Sequence, residues 1–375
     1  MRWKVPLADV QVADSDLAVV MDVLRSGWLT MGPRTAEFEA AFADHADATH
    51  ALAVSSGTAA LHLMCLAAGI GPGDEVIVPS LTFVATVNAV RYCGATPVFA
   101  EIAGITEPWL SAQAVESLIT PRTRAIMYVA FGGHPGTLGE LAAIASRHDV
   151  ALLLDAAHAV GTRLDERQLS SYVLGAAHSF FSNKNLAVGE GGMVVTNDDA
   201  LAERVGRLRS HGMTTLTWDR HRGHASDYDV VDLGFNYRLD EPRAALGTAR
   251  LARLEAEDTS RGQIADRYRA AFDGRVTTAL PPAPGAQSAN HLFAIVLEPA
   301  VDRAAFRASL ADRLIQTSVH YPAVHEFAIY RGGDVRLPVT EDYARRTVTL
   351  PLFAHLKHED QDLVIEAVLN AATTR

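Results

Sequence analysis

The sequence predicts an α/β fold with a mainly parallel central sheet flanked by helices, followed by a smaller α+β domain. Three observations carry this. Runs such as ALAV (51–54), EVIVP (75–79), RAIMYVA (124–130) and ALLLDAA (151–157) are apolar without polar alternation, as strands buried on both faces must be. Helix-like segments separate these runs, which implies right-handed crossovers between parallel neighbours. Ser55 to Thr58, Phe83, Asp155 and Lys184 each stand just after an apolar run. Ligands in parallel sheets collect there, at the carboxyl ends of strands.

Taken in order, DSDLAVVMDVLRS from Asp14 reads as a capped amphipathic helix ending at Gly27, and a second helix spans 34–44. ALAVSSGTAALHLMCLAAG combines a strand, a Ser-Gly-Thr turn and a helix ending at Gly69. EVIVP then precedes a helix over 84–92, TPVFAEI one over 112–118, and RAIMYVA one over 138–148. After the strand MVVT comes a helix over 198–210, and then residues 211–232, which lack a clear period and read as a long loop. Helices over 241–256 and 258–272 lead to the Pro-rich turn LPPAPGA. Beyond it, HLFAIVL, a helix over 303–314, TSVHYP, TVTLPL and a helix over 359–371 form the smaller domain. The boundary is placed between residues 1–250, which include the N-terminal segment, and 251–375.

A chain of 375 residues, 49% of them hydrophobic, has material for a large core, and its length points to about two domains. The net charge of −11, with both signs interspersed, argues against nucleic acid or an anionic membrane as partner and favours a small molecule. Cys65 and Cys93 are the only cysteines and lie among apolar residues, which fits core filling in a reducing compartment. The first residues lack a signal peptide's apolar core, and no apolar run spans a bilayer, so a soluble cytoplasmic protein is expected.

The chemistry centres on Lys184, in GAAHSFFSNKNLAVGEGG, where a buried strand runs into a glycine-rich loop. An amine shielded from water loses basicity and becomes a nucleophile toward carbonyls. The alternative is a solvated loop lysine. Gly57-Thr58-Ala59 opens a helix whose free N–H groups and dipole suit a phosphate, or it is an ordinary N-cap. Asp155 ends an apolar strand, where a carboxylate needs a cation or hydrogen-bond donors. Phe83, in PSLTF, could stack on a flat ring or pack in the core. Together these are the parts that pyridoxal 5′-phosphate requires: an imine-forming lysine, an acid for the ring nitrogen and a phosphate cup.

The motifs SSGTAAL, GDEVIVPSLTFVAT, DAAHAVGT, SFFSNKN with GEGG, GFNYR and SVHYP occur in that order, between GWLTMGP near the start and LPLFAHL near the end. In these the chain resembles the DegT/DnrJ/EryC1/StrS family of sugar aminotransferases, of pyridoxal phosphate fold type I. The resemblance implies that residues 1–250 form the cofactor-binding domain, with Lys184 as the Schiff-base residue and proton shuttle. It implies that Asp155 pairs with the pyridine nitrogen and that His158, where many relatives carry glutamine, lies on the phenolic-oxygen side of the ring. Thr58 and Ala59 by backbone, and Ser179 by hydroxyl, would hold the phosphate, and Phe83 would stack on the ring. Asn236 would reach the phosphate of a neighbouring subunit, making a homodimer with shared sites. His320 and Tyr321 would border the substrate pocket.

Some relatives that catalyse dehydration carry histidine in place of the lysine, so Lys184 points to transamination. The amino donor would be glutamate or glutamine, and the acceptor a keto sugar, expected to be nucleotide-linked (dTDP or UDP). A cyclitol ketone acceptor, elimination or aldol cleavage, and a non-catalytic regulatory protein on the same fold are the competing readings. No metal site is expected, because His211, His221 and His224, or His320 and His325, lack partners at ligand spacing. No Walker-type loop or strand-linked GxGxxG is present, which argues against nucleotide hydrolysis and nicotinamide binding. The basic run Arg220, His221 and Arg222, in the long aperiodic segment, reads as a solvated loop or, alternatively, as a contact for a nucleotide diphosphate.

Overall fold

The computed structural model describes residues 3–215, 227–332 and 334–373. Seven strands form the main sheet: β1 (His50–Val54), β2 (Glu75–Pro79), β3 (Thr96–Ala100), β4 (Thr123–Val129), β5 (Ala151–Asp155), β8 (Gly175–Ser179) and β9 (Gly192–Thr196). Their order is β1-β9-β8-β5-β4-β2-β3. β9 runs antiparallel to both of its neighbours, and every other pairing is parallel. The short strands β6 (Arg163–Leu164), β7 (Arg167–Gln168) and β11 (Ala286–Gln287) make a minor sheet of their own.

The apolar strands follow from a sheet covered on both faces. Ile77, Ile126, Tyr128 and Leu154 enter one core with Phe38, Phe42 and Phe180. Their sequence neighbours Val76, Val78, Met127 and Leu153 enter a second core with Leu63, Met64 and Val194. Alternate side chains thus reach opposite cores, and a polar residue at either register would be stranded. Each fully buried aliphatic side chain contributes about 1.5–3 kcal/mol.

Helices begin and end at local signals. α1 (Asp14–Ser26) stops at Gly27, whose φ of 73° is the left-handed conformation that glycine adopts at least cost. α2 spans Pro33–His45, and α3 (Gly57–Ala67) starts at Ser56, whose hydroxyl accepts the Ala59 N–H. α4 (Val84–Tyr92), α5 (Ala112–Leu118), α6 (Leu138–His148) and α7 (Asp199–Leu208) fill the crossovers and the flank beside β9.

Two parts depart from the sequence-based expectation. The helix pair after Asp240 breaks at Ala252–Arg253, giving α8 (Glu241–Leu251) and α9 (Leu254–Phe272), rather than just before Asp258. Asp258, expected to open the second helix, instead lies buried within it, paired with Arg261 at 2.9 Å. The segment 211–232, read as a loop, has arms that pair antiparallel where it is described, with Met213 opposite Val230.

The C-terminal part builds a sheet of β10 (Thr277–Thr278), β12 (Phe293–Val296) and β13 (Thr347–Leu350), accompanied by α10 (Arg303–Asp312), α11 (Pro338–Arg346) and α12 (His358–Thr373). Its core joins Tyr268, Phe272, Phe293, Ile295, Val348 and Val364. Val5 enters the same core and bridges Ile315 in parallel, so the extreme N-terminus packs with this part rather than with the residues it adjoins in sequence.

Candidate active site

The carboxyl ends of β4, β5 and β8 and the N-termini of α3 and α4 surround a cavity of about 410 Å³. Gly57, Thr58, Phe83, Asp155, His158, Ser179, Lys184, His320 and Tyr321 all line it. Two of the sequence candidates, Ala59 and Asn236, do not.

At one end, the Gly57 and Thr58 N–H groups have no acceptor among the described residues, as the first turn of a helix requires of an anion site. The Ala59 N–H donates to Ser56 Oγ at 3.1 Å, the bond that caps the helix. Backbone packing here is tight. A Cβ on Gly57 would stand 2.7 Å from Ser179 Cβ, and one on Gly192 would stand 2.5 Å from the Ser56 carbonyl oxygen. Glycine at both positions lets β8, β9 and the turn before α3 close on one another. Ser179, the last residue of β8, is buried with its hydroxyl beside this turn.

At the other end, Asp155 is buried and held from two sides. Thr86 Oγ1 donates to Asp155 Oδ2 at 2.7 Å, and the Ala157 N–H donates to Oδ1 at 3.1 Å. Thr82 Oγ1 lies 2.7 Å from Thr86 Oγ1 and supplies its proton when Thr86 donates onward. Burial pushes the Asp155 carboxyl up, while Thr86, Ala157 and the Lys184 charge pull it back toward the ionised form. Withdrawal from water lowers Lys184 to about 8, against the pull of Asp155 in the opposite direction. A substantial fraction of its amine is therefore neutral near physiological pH, which an exposed lysine near 10.4 is not.

His158 accepts the Gly132 N–H on Nδ1 at 3.3 Å, which places its proton on Nε2, 3.1 Å from Tyr321 Oη. Tyr321 Oη then accepts from His158, and its own proton is left to donate toward a ligand. Burial depresses His158 strongly and lowers His320 to about 4, so both rings are neutral at pH 7. His320 Nδ1 is anchored 2.8 Å from Thr349 Oγ1. Phe83 caps α4 and is 57% exposed, so it is not a core residue; its ring centroid lies 6.1 Å from that of Tyr321.

Lys184 is steadied from behind by residues that the sequence did not single out. Asn185 Nδ2 donates to Asp258 Oδ1 at 3.1 Å and to the Ala289 carbonyl at 2.8 Å. Its Oδ1 accepts from His291 Nδ1 at 3.0 Å, and the His291 ring lies 4.4 Å from that of His158. Thr86 was findable, since it follows Thr82 by one helical turn beside PSLTF. The Asn185–Asp258–His291 set comes from three distant segments and leaves no local signal.

Asn236 is exposed on the segment facing Ser210, away from this cavity. Arg220, Arg222, His221 and His224 lie outside the described residues. Among the described residues no cluster of three His, Cys, Asp or Glu side chains is disposed to hold a metal ion.

Comparison with known proteins identifies the family. Residues 11–369 match the model of the DegT/DnrJ/EryC1/StrS aminotransferase family, and the chain belongs to that family. It is 38% identical over 371 residues to the spore coat polysaccharide biosynthesis protein SpsC of Bacillus subtilis (strain 168), covering 95% of this chain and 94% of that protein. Among solved structures it is similar to S. venezuelae DesV, at 36% identity and a TM-score of 0.91 over 100% of both chains. The aminotransferase TlmJ from Streptoalloteichus hindustanus gives 32% and 0.91 over 98% of both. The PLP form of Spr1654 from Streptococcus pneumoniae, a putative sugar aminotransferase by its description, gives 26% and 0.92 over 98% of both. The chain is thus a sugar aminotransferase that depends on pyridoxal phosphate.

Proposed function

We propose that this aminotransferase moves an amino group from glutamate or glutamine to a nucleotide-linked keto sugar, with Lys184 and Asp155 as the working pair. The observation that carries the assignment is the convergence of Lys184, Asp155 and the open N-terminus of α3 on one cavity. The cofactor fits these residues: two unpaired N–H groups for its phosphate, a supported carboxylate for its ring nitrogen, and an amine of lowered basicity.

When bound, pyridoxal phosphate supplies a carbonyl that condenses with amines and a cationic ring that accepts the electron pair released at carbon. The chain's residues do the rest. Gly57, Thr58 and Ser179 would hold the phosphate, and the exposed Phe83 ring would be the one to stack on the pyridine. Asp155, ionised with help from Thr86 and Ala157, keeps the ring nitrogen protonated. Lys184 Nζ, of lowered basicity and partly neutral at working pH, takes a proton from the substrate carbon and returns it. His158 and Tyr321, hydrogen-bonded to each other, would face the phenolic oxygen, and His320 would border the substrate.

A cytoplasmic homodimer that shares its sites belongs to the same proposal. Asn236 is exposed and does not line its own cavity, and Val230, Val231 and Leu233, the last 92% exposed, leave an apolar strip beside it for a second copy to cover. Both cysteines are free and buried, which suits a reducing compartment. No described helix is long and apolar enough to cross a membrane.

The purified protein should be yellow and change absorbance on adding glutamate, and Lys184→Ala should abolish turnover with every donor. A Lys184→Ala protein that still transaminates would remove the assignment. A panel of ketone acceptors separates a nucleotide sugar from a cyclitol, and product analysis separates transamination from elimination or aldol cleavage. Turnover itself disposes of a purely regulatory role.

A further inference from the structure

A second cavity, of about 430 Å³, shares Asn183, Lys184 and His320 with the first, so the two meet at the lysine. Its volume is in the range of small-molecule sites. Three arginines line it, and two are already matched. Arg253 grips Asp16 through two bonds of 2.8 and 2.9 Å, and Arg261 pairs with Asp258 at 2.9 Å and with Glu257 at 3.3 Å.

Arg250 is different. It is only 6% exposed, and no carboxylate of the described residues lies within ion-pair distance of it. One nitrogen, Nη1, donates to the Gln11 carbonyl at 3.2 Å, and Nε has no acceptor. A buried guanidinium with unspent donors is costly unless an anion completes it.

We infer that Arg250 binds a carboxylate of the amino-acid donor in this second cavity. The inference rests on the donor class proposed above. The planar guanidinium fork matches a carboxylate, and Lys184, Asn183 and His320 line both this cavity and the first. A diphosphate would need more than one uncommitted cation, and Arg253 and Arg261 are both committed.

The test uses the protein loaded with pyridoxal phosphate and compares wild type with Arg250→Gln and Arg250→Lys. Glutamine at this position keeps a donor for the Gln11 carbonyl while removing the charge. Arg250→Gln should raise the glutamate concentration giving half-maximal spectral conversion at least tenfold, and Arg250→Lys by less, with the KM of the keto acceptor unchanged. Equal losses for glutamate and glutamine would identify the α-carboxylate as the bound group, and a loss for glutamate alone would identify the side-chain carboxylate. Calorimetric binding of glutarate to the protein without pyridoxal phosphate should also be lost in Arg250→Gln.

Half-saturation by glutamate within twofold of wild type in Arg250→Gln, or an effect confined to the acceptor, would overturn the inference. Wild-type protein that binds glutarate through Arg250 yet never converts with glutamate would overturn the proposed donor and leave the carboxylate site standing.

Discussion

Replacing Thr86 by valine removes one hydroxyl and leaves the shape of the side chain nearly unchanged. In the structure that hydroxyl donates to Asp155 Oδ2 at 2.7 Å and stands 2.7 Å from Thr82 Oγ1, so the change strips a buried carboxylate of one of its two donors. A hydrogen bond to a charged group contributes about 1.5–3 kcal/mol, which corresponds to about 10- to 150-fold in an equilibrium constant. The direction follows from burial. Asp155 already sits above the ordinary carboxylate range, and Thr86 is the first of the influences pulling it down. Without Thr86 the acid form gains, and the acid form cannot neutralise a cationic ring nitrogen.

Thr86→Val should therefore weaken pyridoxal phosphate binding about tenfold or more, with the loss growing as the pH falls. The assay is an absorbance titration of stripped protein with the cofactor across pH 6 to 9 on a ~1-unit grid, with Thr86→Ser as the control that restores the hydroxyl. Thr86→Val protein that binds the cofactor as wild type does, at every pH, would refute the assigned link from Thr86 through Asp155 to the ring nitrogen.

Three further outcomes are expected. With Lys184 lowered to about 8, the rate at which stripped protein attaches to the cofactor aldehyde should rise with pH up to about 8 and then level off; a rate still climbing at about pH 10 would contradict the shielded amine. The same shift has a stability consequence: the unfolded lysine holds its proton up to about 10.4, so the native state gains stability as pH rises between about 8 and 10.4. In a shared-site dimer, mixing inactive Lys184→Ala with impaired Asn236→Ala subunits should create hybrids carrying one intact site. Activity above that of either parent would be measured after subunit exchange, and its absence would argue against Asn236 acting across the interface.

Wherever a feature depends on neighbours in the chain, the sequence was enough. The α4 helix over Val84–Tyr92, α5 over Ala112–Leu118 and α6 over Leu138–His148 have the bounds expected from their patterns. Gly27 ends α1 as a left-handed cap, and the uniformly apolar strands announced a sheet with a core on each face. Lys184, Asp155 and Gly57 stood out because each follows an apolar run at the end where parallel sheets bind ligands, and the cavity brings them together.

Packing between distant segments decided the rest. The Ala59 N–H meets the Ser56 hydroxyl three residues away, a capping bond that composition alone does not settle. Asp258 looked like a helix start but became the buried partner of Asn185 and Arg261, and Val5 joined a core built from the far end of the chain. The sequence by itself determined the element types, the strand ends that bear the chemistry and the family of the chain, because period, caps and motif order are local and read along the backbone. Only the tertiary structure determined which carboxylate each arginine meets, which hydroxyl supports Asp155 and which guanidinium is left without an anion, because the energy of a buried charge is set by whichever groups folding brings within a few ångströms of it.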